Sequence, residues 1–121
     1  MKILTLGFAL TMSLSAFAIS FSDITGTYEI TTDLAPIVNT IEIDKDGNVS
    51  LTENSPYGTF SCTGAAVIED QVLTSEVTCE NGATFTQRVD FEGINNFEEF
   101  SANVYSSLYE AELPMNFKKL K

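Results

Sequence analysis

The chain has 121 residues, with 6 Lys+Arg against 17 Asp+Glu, no His and no Trp, for a formal net charge of −11. That length allows one small domain. The acidity argues against nucleic acid or anionic lipid as partners and leaves basic proteins, cations or plain solubility. The lack of histidine removes the commonest general base and the commonest metal ligand.

In chain order, residues 1–18 read as a signal peptide. Lys2 gives the positive start, an apolar run follows from Ile3 to Leu14, and Ala16-Phe17-Ala18 places small residues where a signal peptidase reads. Cleavage is placed after Ala18, with Ser20 as the second choice. The run is shorter than the roughly 20 apolar residues of a membrane span, and no comparable run or lipid-accepting Cys follows it. The expectation is a secreted or periplasmic monomer without a membrane span, formed by residues 19–121 as a single β domain. Losing Lys2 takes the net charge from −11 to −12. Lys118, Lys119 and Lys121 crowd the C-terminus, so the body carries only Lys45 and Arg88 as cations. Export makes Cys62 and Cys79 a disulfide pair rather than a redox or metal pair.

The rest of the chain has strand texture, with alternating apolar residues, frequent Thr and recurrent Gly-bearing turns. Thr27–Thr31 reads as a strand with Tyr28 and Ile30 inward. Lys45-Asp46-Gly47 reads as a three-residue hairpin loop with Gly47 left-handed, which sets Ile43 opposite Val49 and Ile41 opposite Leu51. Around Asp70-Gln71, a two-residue turn sets Glu69 opposite Val72, Gly64 opposite Val77 and Cys62 opposite Cys79. The cysteines then occupy a non-hydrogen-bonded site, with Cα atoms about 4.5 Å apart. This register puts Phe60, Cys62, Gly64, Ala66, Ile68, Leu73, Val77 and Cys79 on one face. Ser61, Thr63, Glu69, Thr74, Glu76, Thr78 and Glu80 take the other. Asp-Gln is a poor two-residue turn, because the favoured types want Gly or Asn at positive φ; a four-residue loop from Glu69 to Val72 would keep the same register. At Glu80-Asn81-Gly82, a three-residue loop sets Val77 opposite Phe85, Ser75 opposite Gln87 and Leu73 opposite Val89. A one-residue slip would invert any of these strands, so hairpins that agree on one face specify an antiparallel meander.

Two readings compete over 97–109. Phe97, Phe100, Val104 and Leu108 recur at helical spacing behind an Asn96/Glu99 capping box. Phe100, Ala102 and Val104 also alternate, and a strand from Glu99 to Tyr105 is preferred over a short helix. Leu113–Phe117, with Met115 inward, ends the series. The expected fold is all-β, an antiparallel meander of seven or eight short strands in a small barrel or two-sheet sandwich, with one disulfide.

Gly26-Thr27-Tyr28, opening the first strand, resembles the start of the calycins, the lipocalin and fatty-acid-binding barrels, where a Gly-x-Trp motif begins the barrel and the indole plugs one end. Here Tyr28 stands in the Trp position. The basic residue that packs on that Trp late in the chain would be Lys118 or Lys119. The resemblance covers three residues and implies an internal site for an apolar ligand.

No constellation of nucleophile, base and stabiliser appears, so no catalytic residue and no enzymatic activity are expected. Glu98-Glu99 would diverge on either a strand or a helix, which suits solvated charge better than paired-carboxylate chemistry. No cofactor motif and no strong metal motif is present. Asp44-Lys45-Asp46-Gly47-Asn48 resembles the opening of a calcium loop, but the positions that require Gly and a bidentate Glu hold Val49 and Ser55. A hairpin turn accounts for the same residues, with a weak cation site at Asp44–Asp46 left open. Asn48-Val49-Ser50 matches a glycosylation acceptor. The candidate ligand-binding residues are Gln87 and Ser75, polar on an apolar face, with Tyr57, Phe60 and Phe85, and with the 106–109 stretch as part of a rim. Two functions follow. One is a non-enzymatic barrel that binds a small apolar or amphipathic molecule in a continuous cavity lined by Phe60, Phe85, Val89 and Met115. The other is an acidic protein-interaction module or an inhibitor of a basic secreted hydrolase, with a solid core.

Overall fold

The structure, a computed structural model, describes residues 18–56 and 58–121; residues 1–17 of the expected signal peptide, and Tyr57, lie outside the described residues. A single helical turn, α1 (Phe21–Ile24), precedes eight antiparallel strands: β1 (Gly26–Thr32), β2 (Ala35–Ile43), β3 (Asn48–Ser55), β4 (Gly58–Glu69), β5 (Val72–Cys79), β6 (Thr84–Asp90), β7 (Glu99–Ser106) and β8 (Ala111–Lys119). Each strand pairs with its sequence neighbour, and β1 pairs with β8 to close a barrel. Closure runs through Tyr28↔Lys119, Ile30↔Phe117 and Thr31↔Asn116. A closed barrel leaves no sheet edge, which settles the choice between barrel and sandwich.

The hairpin registers follow from loop length. Ile43↔Val49 and Ile41↔Leu51 form across the Lys45–Gly47 loop, where Gly47 has φ +88°. Cys62↔Cys79 and Gly64↔Val77 form across Asp70-Gln71. Both turn residues adopt positive φ, 50° and 66°, so the two-residue turn exists despite its unfavourable sequence. The penalty falls on exposed Asp70 and half-buried Gln71, while the register it preserves keeps Leu73 and Val77 at 1% and 0% exposure. Burying such a side chain contributes about 1.5–3 kcal/mol, more than the roughly 1–2 kcal/mol of a left-handed non-Gly residue. Val77↔Phe85, Ser75↔Gln87 and Leu73↔Val89 complete the third hairpin, with Gly82 at φ +86°. The disulfide joins Cys62 to Cys79 with Cα atoms 3.8 Å apart, closer than the roughly 4.5 Å of an unbridged pair at such a site.

Glu99–Ser106 is a strand, and the Leu108 end of the competing helical reading is a turn. Helical spacing and alternation share Phe100 and Val104; tertiary pairing decides, because β7 lies between β6 and β8 and a helix there would leave both ladders unpaired. The β6–β7 seam is short, running only from Gln87↔Ser106 to Val89↔Val104.

Apart from a polar layer at Ser75, Gln87 and Ser106, inward positions are apolar through the middle of the barrel: Ile41, Ile43, Val49, Leu51, Cys62, Ala66, Leu73, Val77, Val89, Ala102 and Val104 are all buried. Outward positions such as Glu42, Ser50, Thr63, Glu76, Thr84, Arg88, Asn103 and Glu112 are polar and exposed. That polarity is the reverse of a barrel immersed in lipid. Among the described residues, no helix is long and apolar enough to cross a membrane.

One end is plugged. Ile24 in α1 is 1% exposed, and the Tyr28 hydroxyl donates to the Ile24 carbonyl at 2.9 Å. Phe100 stacks on Phe117 at 4.7 Å between ring centroids and meets Tyr28, Phe91 and Phe97 edge-on or tilted at 5.6–6.1 Å. Burial pushes the Tyr28 phenol up to about 12, helped by the charge of Glu98. The ammonium of Lys119 lies 5.9 Å from the Tyr28 ring centroid. In the Asp44–Asn48 turn, Asp44 Oδ1 accepts from the amides of Asp46 and Asn48, both at 2.9 Å, and its Oδ2 accepts from the Asn48 side chain at 2.8 Å. The hairpin thus uses the carboxylate that a cation would need. Those bonds, the Asn48 side chain's first, hold the Asp44 carboxyl below its ordinary value.

Candidate functional site

The opposite end is open. Four connections surround it: Asp33-Leu34, the β3–β4 turn, Glu80–Ala83 and Ser107–Glu110. Two apolar pockets enter the interior there. The larger, about 280 Å³, is lined among others by Ile30, Ile37, Asn39, Leu113 and Met115. The smaller, about 130 Å³, is lined by Leu51, Phe60, the Cys62–Cys79 bridge, Phe85 and Leu108. Glu53 borders both pockets. The β7–β8 turn reaches over the mouth, with Tyr109 on the larger pocket and Leu108 on the smaller. The Tyr109 hydroxyl donates to Glu53 Oε1 at 3.4 Å, and burial, then the Glu53 charge, raises the Tyr109 phenol above its usual value.

The charged groups described at this mouth are acidic. Asn39 Oδ1 is buried without a hydrogen-bond partner among the described residues. Thr32 donates its hydroxyl to the Pro114 carbonyl at 3.4 Å. Asp33, Glu80 and Glu110 stand in the surrounding turns. Among the described residues, every Lys lies at the plugged end, in the Asp44–Asn48 turn, in the last two positions of β8 or just after it. Arg88 faces outward from the wall, 4.4 Å from the Tyr105 ring centroid.

The sequence-derived candidates divide. Phe60 and Phe85 line the smaller pocket, and Leu108 and Tyr109 form the rim expected of the 106–109 stretch; Tyr57 lies outside the described residues. Ser75 and Gln87 pair as derived, with Ser106 beyond Gln87 on β7. Ser75 and Ser106 are 2% and 4% exposed. This polar layer lines neither mouth pocket. The single continuous cavity is also corrected: Val89 is buried in the packed middle, Met115 lines the larger pocket, and Phe60 and Phe85 line the smaller. Eight strands enclose an interior that side chains nearly fill.

Asn39 and Glu53 were missed, although parity held the signal. Asn39 lies two residues before inward Ile41, and Glu53 two after inward Leu51. Polar residues within a strand read as solvent-facing unless that parity is carried along it. No three His, Cys, Asp or Glu side chains come together as a metal site among the described residues.

Fold and site together define an eight-stranded up-and-down barrel, plugged by aromatic side chains at one end and open through an apolar, acid-bordered mouth at the other. The chain matches no family model, no curated protein and no solved structure.

Proposed function

We propose that this is an exported, non-enzymatic binding protein that takes a small apolar or amphipathic molecule at the mouth of the barrel. The observation that carries the reading is the pair of apolar pockets opening at one end of an otherwise packed interior. Mouths of β-barrels are preferred ligand sites, and a few convergent polar groups in an apolar lining are their usual chemistry. A pocket of about 280 Å³ limits the buried part to roughly ten non-hydrogen atoms, taking about 30 Å³ for each water-sized unit. The Tyr28–Lys119 pairing at the plugged end supports the calycin resemblance, in which a basic residue covers the plugging ring.

A second reading has its own support. Leu34, Phe60, Leu108 and Tyr109, all at the mouth, are 68%, 40%, 54% and 49% exposed. Apolar side chains ringed by acids also suit a basic protein partner. Native mass spectrometry of the protein from its own exported fraction, followed by organic extraction, separates the two. The binding reading expects a small molecule at near-unit ratio, or saturable uptake of an apolar probe by stripped protein. An empty protein that takes up no probe overturns it and moves the weight to a salt-sensitive protein partner.

A further inference from the structure

The larger pocket carries a carboxylate and no cation, and that imbalance selects a headgroup. Its lining offers the Glu53 carboxylate, shared with the smaller pocket, and the buried, unpartnered Asn39 Oδ1. The two hydroxyls whose bonds are known here already donate, Thr32 to the Pro114 carbonyl and Tyr109 to Glu53. No Lys or Arg among the described residues stands at this end, whereas Asp33, Glu80 and Glu110 do. A neutral alcohol could satisfy one acceptor. A carboxylate would face Glu53 with no cation to offset the repulsion. A protonated amine carries three donors and the opposite charge, so it can serve both acceptors while its apolar body enters between Ile30, Ile37, Leu113 and Met115.

We infer that the mouth is selective for a small protonated amine with an apolar body of up to about ten non-hydrogen atoms, its ammonium held by Glu53 and Asn39. This rests on the binding reading above and adds to it the chemistry of the headgroup. Tyr109 holds Glu53 in place from the rim, and the acidic turns raise the local concentration of cations. The cations at the far end leave this field uncancelled at the mouth.

Three probes of equal chain length test it: octylamine, octanol and octanoate, each titrated calorimetrically into the purified, stripped protein at low and at physiological ionic strength. The expected order is amine over alcohol by about tenfold or more, the scale of one charge-assisted contact, with octanoate weakest. Glu53→Gln should bring the amine-to-alcohol ratio close to one. Glu69→Gln, which removes the same charge beside the Asp70-Gln71 turn at the plugged end, should leave the ratio in place. Amide shifts induced by octylamine should concentrate at Ile37, Leu113 and Met115. If amine and alcohol bind equally, the headgroup inference fails while the mouth remains a binding site. If none of the three binds, the binding reading fails with it. A preference that Glu69→Gln erodes as much as Glu53→Gln reduces the effect to diffuse attraction and overturns the assignment. The unmutated protein decides the first two outcomes, so a variant that fails to fold does not shelter the inference.

Discussion

Gly64 has an ordinary negative-φ strand backbone, yet replacing it should cost more than replacing any turn glycine. A Cβ built there runs into the Glu76 carbonyl oxygen of β5 and falls 2.8 Å from the Glu76 carbonyl carbon and 2.9 Å from Val77 Cα. All three are backbone atoms, so no side chain can swing aside. Val77 is completely buried, and the Cys62–Cys79 bridge, one pair along the same ladder face, prevents β4 and β5 from separating. Overpacking a core costs about 1–3 kcal/mol, and more where backbone must move; Gly64→Ala should lie at or above the top of that range. At roughly 4–8 °C per kcal/mol for a domain near 100 residues, the melting temperature should fall by at least about 12 °C. Gly82→Ala provides the contrast: φ is +86° but nothing lies within 4 Å of the added atom. Only the left-handed penalty of about 1–2 kcal/mol applies. Circular-dichroism melts of the two variants decide. A Gly64→Ala protein that melts above Gly82→Ala would refute the reasoning and show that the β4–β5 approach relaxes at little cost. Reducing the disulfide should shrink the Gly64→Ala penalty, because the strands can then part.

Two further outcomes are expected. Cys62→Ala/Cys79→Ala removes a cross-link with a sequence separation of 17 residues and should lower stability by about 3 kcal/mol in denaturant titrations; because the bridge also lines the smaller mouth pocket, probe uptake there should weaken. Tyr28 gives an alkaline limit: its folded-state phenol sits at about 12, above the ordinary value near 10, so its contribution is fully present below about pH 10 and is lost as the pH rises toward 12. Tyr28→Phe should flatten stability against pH over that window and loosen α1, read as faster amide exchange at Ile24 and Thr25. An unchanged alkaline profile would mean that the plug does not depend on the neutral phenol.

Much of the fold was legible because strand periodicity is two and short loops have a parity. Once Cys62 is set opposite Cys79, Asp70-Gln71 must be the turn, and the faces of β4 and β5 follow. The same arithmetic at Gly82 and Gly47 carried the inward face through β6 and back to β2. At β7 alternation favours the strand from Glu99 to Tyr105 that the barrel contains, without excluding a helix. Phe100 and Val104 satisfy a helix as well as a strand, and only pairing to Leu113 and Phe117 on β8 separates the two. Gln87 and Ser75 stand out in the sequence because they interrupt an apolar face. With Ser106 they form a polar layer that lines neither mouth pocket, whereas Asn39 in the middle of β2 and Glu53 on β3 border the larger one, a placement that follows only when the inward parity of Ile41 and Leu51 is carried along each strand.

The sequence by itself determined which residues of each hairpin face inward and which cysteines meet, because those relations are local and set by loop length and alternation. Closure was decided only in three dimensions. The Tyr28↔Lys119 and Ile30↔Phe117 contacts join the two ends of the strand series, and no turn between them encodes their register. Closure also decided which end of the barrel is plugged and which stays open. It drew Tyr28, Phe91, Phe97, Phe100 and Phe117 together at one end and left Glu53 between two unfilled pockets at the other. The interior volume of a ring depends on all eight strands at once, so no single segment of the chain could have announced it.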